Sequence, residues 1–166
     1  MTDATGMPAW QTMERDAPQI ARPGAARLRA ARVALLGTLR PDGFPRISPV
    51  EPYIAGGQLL IGVMAWSTKA NDLRRDPRCV LHSAVADPDS GEGELKLYGS
   101  AVEASPGLRS AVADAWWSTW PTDKAAVYYL RIQQASFIEW DIEHGLMTVH
   151  HWSPGKSYGK TSRSYP

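Results

Sequence analysis

The residues with the clearest chemical potential are Ser67, Thr68 and Lys69, which open the run STKANDLRRDP at 67–77 directly after the apolar stretch Leu59–Met64. The pattern predicts a strand that runs out and a short helix that begins, with Ser67 or Thr68 as the cap. The first backbone N–H groups of such a helix have no carbonyl partners, and its start carries the positive end of the helix dipole. Two hydroxyls, free N–H groups and the Lys69 ammonium together suit a phosphate. Pro77 ends the helix after about two turns, because the residue before a proline is pushed out of the α region. Taken alone, the same run also describes an ordinary capped helix with a solvated lysine.

Other chemistry is sparse. Arg46 alternates with Ser48 and Val50, so if Arg46 faces a ligand Ser48 faces it too. Trp66 and Trp152 are candidates to cover a ring. No metal site is expected: His150 and His151 are adjacent on a strand and point to opposite faces, as do Cys79 and His82. A nucleophile elbow, a dinucleotide glycine signature and a P-loop are all absent from the sequence, and no catalytic acid or base stands out. His150 or His151 as a haem ligand is a minor alternative.

At 166 residues the chain is long enough for one well-buried domain. A formal net charge of +1 offers no polyanion-binding face, so nucleic acid is not an expected partner. One cysteine, Cys79, excludes an internal disulfide and calls for no oxidising compartment. With no apolar leader and no run long enough to span a bilayer, no membrane association is expected and a cytoplasmic protein is the default. Seven tryptophans, several late in the chain, suggest a lined cavity or a subunit interface, and a homodimer is expected.

The elements that must position these residues follow from patterning. Residues 1–30, rich in Ala and Arg and punctuated by prolines, predict two short helices packed outside the main body, as an N-terminal extension. Val33 to Arg40 reads as a buried strand and Arg40-Pro41-Asp42-Gly43 as a type I turn into a second arm, where Pro49 and Pro52 demand an edge, bulge or bend. Further strands are expected over 59–65, 79–85 and 94–102. Ser105 and Pro106 open a predicted helix with Leu108, Ala111, Val112, Ala115 and Trp116 on one face, and Thr122 a shorter one through Tyr129. Ser136 to Ile142 and Leu146 to Trp152 read as a hairpin. The sum is a mainly β (α+β) fold, a split antiparallel barrel of about six or seven strands with peripheral helices over 31–155. Residues 156–166 have the composition of a disordered tail that a partner subunit could pin.

With these elements in place, three segments carry a resemblance: LGTLRPDGFPRISP at 36–49, STKANDLRRDPR at 67–78 and HWSPG at 151–155. Together they resemble the pyridoxamine 5′-phosphate oxidase-like family of flavin-binding split β-barrels, across most of the chain. The resemblance implies a homodimer that binds FMN, or in some members the deazaflavin F420, at its subunit interface. It implies cofactor contacts from Arg46, Ser67, Thr68 and Lys69; Ser48, by strand alternation, and Trp152, as a ring-covering candidate, are added to them. Two positions depart from the pyridoxamine oxidases themselves: Glu51 stands where they tend to have lysine, and Glu94 where they tend to have glutamine. The expectation is therefore an FMN-binding oxidoreductase acting on a small planar substrate other than vitamin B6. An F420-dependent reductase, or a non-catalytic flavin- or haem-binding protein, is the alternative.

Overall fold

The structure, a computed structural model, describes residues 9–165; the start of the N-terminal extension and the last residue of the tail lie outside them. Helices α1 (Ala9–Asp16) and α2 (Pro18–Ala31) come first. Pro18 occupies the first turn of α2, where its missing N–H costs nothing. Strands β1 (Ala34–Leu39) and β2 (Pro45–Val50) form the expected hairpin, its turn closed by Gly43, whose φ of 83° suits a residue without Cβ. The bend demanded by Pro49 and Pro52 falls at Glu51 and separates β2 from β3 (Pro52–Ala55). Then follow β4 (Gln58–Met64), α3 (Thr68–Arg75), β5 (Arg78–Ser83), β6 (Glu94–Glu103), α4 (Pro106–Arg109), β7 (Ala125–Asp141), β8 (Leu146–Trp152) and β9 (Gly159–Ser164).

All pairings are antiparallel, in the order β2-β1-β5-β6-β7-β4-β3, with β8 on β7 and β9 on β8. The end strands β2 and β3 do not pair, so the barrel is split. Its spine is β7. Over its 17 residues it pairs β6 along one edge, while the other edge takes β4 from Ala125 to Tyr129 and β8 from Ala135 to Asp141.

Four expectations give way. The strand count is nine rather than six or seven, because the proline bend makes two strands of one arm and the tail adds another. The helix expected over residues 105–116 is only the four residues of α4; beyond it Val112, Ala115 and Trp117 are buried in a satellite cluster with Leu60, Val127 and Tyr129. The short helix expected from Thr122 is instead the start of β7, where Val127, Tyr128 and Tyr129 suit a strand buried between two neighbours. The tail is ordered by its own chain: β9 pairs β8 from Leu146↔Ser164 to His151↔Gly159, the Tyr165 amide donates to the Gly145 carbonyl at 3.0 Å, and the Tyr165 ring meets Trp140 edge-on at 5.2 Å. Added strands are held by backbone groups, which composition does not register.

The N-terminal helices flank the sheet, as expected, and each buries one face in its core. Trp10, Met13 and Ile20 are fully buried in the main core with Leu36, Leu81 and Leu95. The Gln11 amide donates to the Gly57 carbonyl at 3.0 Å and that of Ala9 to Gln58 Oε1 at 3.1 Å, tying α1 to the turn before β4. Ile20→Ala is expected to cost about 2–5 kcal/mol in urea denaturation, as for a large-to-small change in a packed core. A loss under about 1 kcal/mol would place α2 at the periphery.

Candidate functional site

The chain leaves β4 through Ala65 and Trp66 and turns into α3 at Ser67, whose Oγ accepts from the Ala70 amide at 3.3 Å while its carbonyl accepts from Asn71 at 3.1 Å. The cap satisfies Ala70, and the amides of Thr68 and Lys69 are left at the helix start with no intrahelical carbonyl to reach. At the other end Pro77 follows Asp76, which closes the eight-residue helix in extended conformation.

Lys69 reaches away from the helix toward β2, where its Nζ donates to the Pro49 carbonyl at 3.1 Å. There it lines an open cavity of about 430 Å³ together with Pro49, Glu51, Met64, Trp116 and Trp120. Burial in this apolar surround pushes the lysine pKa down. The cavity has one other charge, Glu51, whose carboxylate accepts from Tyr53 Oη at 3.0 Å. Desolvation first, and the Glu51 carboxylate second, push the Tyr53 phenol up, so it stays a donor at neutral pH.

Arg46 and Ser48 do share the face of β2 that also carries the buried Val50. That face looks under α3. Arg46 Nε donates to Asp72 Oδ2 at 2.7 Å, Thr38 Oγ1 lies 3.0 Å from the same oxygen, and Arg75 Nη1 reaches Oδ1 at 3.4 Å. Arg75 also caps the Leu39 carbonyl. Burial alone would raise the Asp72 pKa, but hydrogen bonds from Arg46 and Thr38 and the charge of Arg46 outweigh it and hold the carboxyl below the usual range.

The remaining candidates are dispersed. Trp66 is 74% exposed. Trp152 is buried, and its indole N–H has no acceptor among the described residues. It lines a different cavity, of about 380 Å³, with Tyr98, Gln134, Ser136, His151 and Lys156. Of the two adjacent histidines, His150 is buried with Nδ1 2.6 Å from Tyr158 Oη and Nε2 3.1 Å from Glu139, while His151 is exposed. Burial pushes the Cys79 thiol up to about 12, which makes it a poor nucleophile. Lys69 is thus the only sequence-predicted contact that the structure puts on the wall of its cavity. Trp116 and Trp120, which share that wall, are visible in the sequence only as a local excess of tryptophan.

The Asp72 network makes a pH-dependent contribution of definite sign. A carboxylate held below its unfolded pKa stabilises the fold fully above the ordinary aspartate value of about 4, and that stability is lost as pH falls through the lower folded value. Asp72→Asn is expected to cost about 1.5–3 kcal/mol at pH 7, as for a hydrogen bond to a charged partner. In urea titrations the gap from wild type should hold from pH 7 to 5 and narrow below pH 4; a gap unchanged at pH 3 would mean that the ion pair contributes nothing.

No family model and no curated protein matches the chain. Solved structures do. A pyridoxamine 5′-phosphate oxidase-related, FMN-binding protein from Nostoc punctiforme superposes with a TM-score of 0.62 at 15% identity, covering 90% of this chain and 96% of the other. PhzG from Burkholderia lata, in complex with tetrahydrophenazine-1-carboxylic acid, gives 0.62 at 12% identity over 99% and 98%. A haem-binding protein from Mycobacterium smegmatis gives 0.58 at 21% identity, covering 86% of this chain, which spans 57% of that protein's length. These identities speak to architecture, not to reaction. The chain has the fold of the pyridoxamine 5′-phosphate oxidase-like, FMN-binding split β-barrels.

Proposed function

We propose that this chain binds FMN and acts as an oxidoreductase on a small planar substrate. The observation that carries the reading is the donor set at the start of α3: two amides without helical acceptors, the positive helix end and a lysine beside an aromatic-walled cavity. This set fits a phosphate ester joined to a flat ring. Thr68 and Lys69 would hold the phosphate through their amides, and Lys69 through its ammonium; Arg46, paired through Nε with Asp72, does not line this cavity and would act by fixing α3. The flavin supplies the hydride chemistry when bound. The chain's part is to anchor the phosphate, orient the ring and exclude water with Met64, Trp116 and Trp120.

Glu51 bears on the substrate. Its carboxylate faces the same cavity and disfavours a second phosphate there, which argues against vitamin B6 phosphate. A haem reading has the name of one structural neighbour in its favour. Against it, both ring nitrogens of the buried His150 are engaged, and the other candidate, His151, is exposed.

A homodimer completes the reading. Lys69 and Trp152 line separate cavities, so one chain alone does not bring them to a common ligand. The outward face of the β1–β2 hairpin is apolar, with Leu35, Phe44 and Ile47 exposed, and a surface of this kind suits a subunit interface. A second copy packed there would let the Trp152 cavity, with its unpartnered N–H, meet the ligand held by Lys69. Light scattering at micromolar concentration should return twice the chain mass, and Ile47→Asp should return it to one; a wild-type monomer would remove this part of the reading.

The phosphate assignment is tested by titrating wild type and Lys69→Ala with FMN, F420 and riboflavin. A charge-assisted hydrogen bond of about 1.5–3 kcal/mol corresponds to roughly a ten- to a hundredfold loss of FMN affinity, with riboflavin nearly unchanged. Equal loss for both ligands, or no loss for either, would make Lys69 an ordinary surface side chain. Tighter binding of F420 than of FMN would identify the deazaflavin as the cofactor.

A further inference from the structure

The chain leaves β8 at Trp152, turns over Ser153–Lys156 and returns as β9 at Gly159. Ser153, Lys156 and Ser157 form one side of the Trp152 cavity, whose volume of about 380 Å³ is usual for a small-molecule site. We propose that this cavity is a second binding site, for a small organic anion: a carboxylate or a phosphate monoester on an apolar body, with Lys156 as its charged anchor. The site lies within one chain and takes Lys156 and Ser157 from beyond the segments that carry the family resemblance, so it does not depend on what the Lys69 cavity holds.

Its floor is built by strand pairing. Tyr98 on β6 stands opposite Gln134 on β7, and Ser136, two residues on and on the same face, stands opposite His151 on β8. The turn then adds the hydroxyls of Ser153 and Ser157 and the Lys156 ammonium. Among the described residues that line the cavity Lys156 carries the one formal charge, and none is a carboxylate. Trp152 is buried at its edge with an indole N–H that no acceptor reaches, and a buried donor of this kind calls for a water or a ligand atom. A lining with one cation, several donors and no acid is complementary to an anion.

The turn is held at both ends. The Lys156 amide donates to the Ser153 carbonyl at 3.0 Å, and Tyr158 Oη lies 2.6 Å from His150 Nδ1 just before β9 pairs with β8 at Gly159↔His151. Lys156 is therefore exposed but carried on a fixed backbone, which lowers the cost of ordering it around a ligand. Tyr98, Ala135 and the Trp152 ring supply apolar surface beside the donors, so an anion with an aromatic or aliphatic body gains contact that a bare ion does not.

The probes are benzoate and phenyl phosphate, with benzamide as the uncharged match, titrated into the full chain by calorimetry. The Nε1–H resonance of Trp152 in isotope-labelled protein is followed in parallel; it reports on this cavity, because Trp152 does not line that of Lys69. At least one anion should move the Trp152 signal and bind about tenfold or more tightly than benzamide, and the tighter of the two identifies the class. Lys156→Met, at an exposed position, should weaken that anion by about tenfold, the lower end for a charge-assisted contact open to solvent, and leave benzamide unchanged. Lys69→Ala should lower FMN affinity and leave the anion's affinity as it is. A Trp152 signal that neither anion moves, benzamide binding as tightly as benzoate, or full affinity in Lys156→Met overturns the site. So does FMN that displaces the bound anion, since the cavity would then be part of the flavin site. Anion binding without any FMN binding would instead count against the function proposed above and leave this site standing.

Discussion

The buried carboxylate of Asp72 is the constraint on which the candidate site depends. A charge at this depth is costly unless it is paired, and its partners come from three elements: Thr38 on β1, Arg46 on β2 and Arg75 within α3. Those bonds lock the helix against the hairpin in one rotation. With Asp72 turned inward, Lys69, three residues earlier, is directed toward Pro49 and the cavity rather than into solvent. The start of α3 is thus aimed by an ion pair one turn further along.

The second constraint is the long strand β7. It carries the early strands on one edge and divides the other between β4 and β8, so the same strand borders both the β4 side, where Lys69 opens its cavity, and the β8 side, where Trp152 lines its own. The two cavities are therefore built into a single sheet but do not meet within one chain. Between β6 and β7 the irregular tryptophan segment folds back over β4, and Gly62 allows this because any side chain there would collide with Trp117. The backbone of this segment is satisfied largely by turns and by Arg109, which is why so little regular structure can hold three indoles in fixed relation.

The likeness to solved structures over 86–99% of the chain, at identities of 12–21%, shows how little of the sequence the architecture requires. The fold does not fix what is bound; that rests on site side chains, and the candidates here are Lys69, Glu51, Trp116 and Trp120.

Signals of short range were legible in the sequence. The Gly43 turn, the Ser67 cap, the Pro77 stop and the proline bend at Glu51 are each set by one residue's backbone preference, and the structure shows all four. The shared face of Arg46 and Ser48 also followed from strand alternation alone. Contests between local preference and distant partners were not legible. The helical pattern over residues 105–116 lost to the burial of Trp117 against Gly62, and the Thr122 cap lost to two-edged pairing of β7. The tail became a strand because β8 had a free edge to offer its backbone, and the N-terminal helices are anchored because the sheet left an apolar face for Trp10, Met13 and Ile20. The sequence by itself thus determined where the chain turns and where α3 is capped and stopped. Only the tertiary structure decided which side chains stand around the start of that helix, because that depends on which distant surfaces remain to be covered.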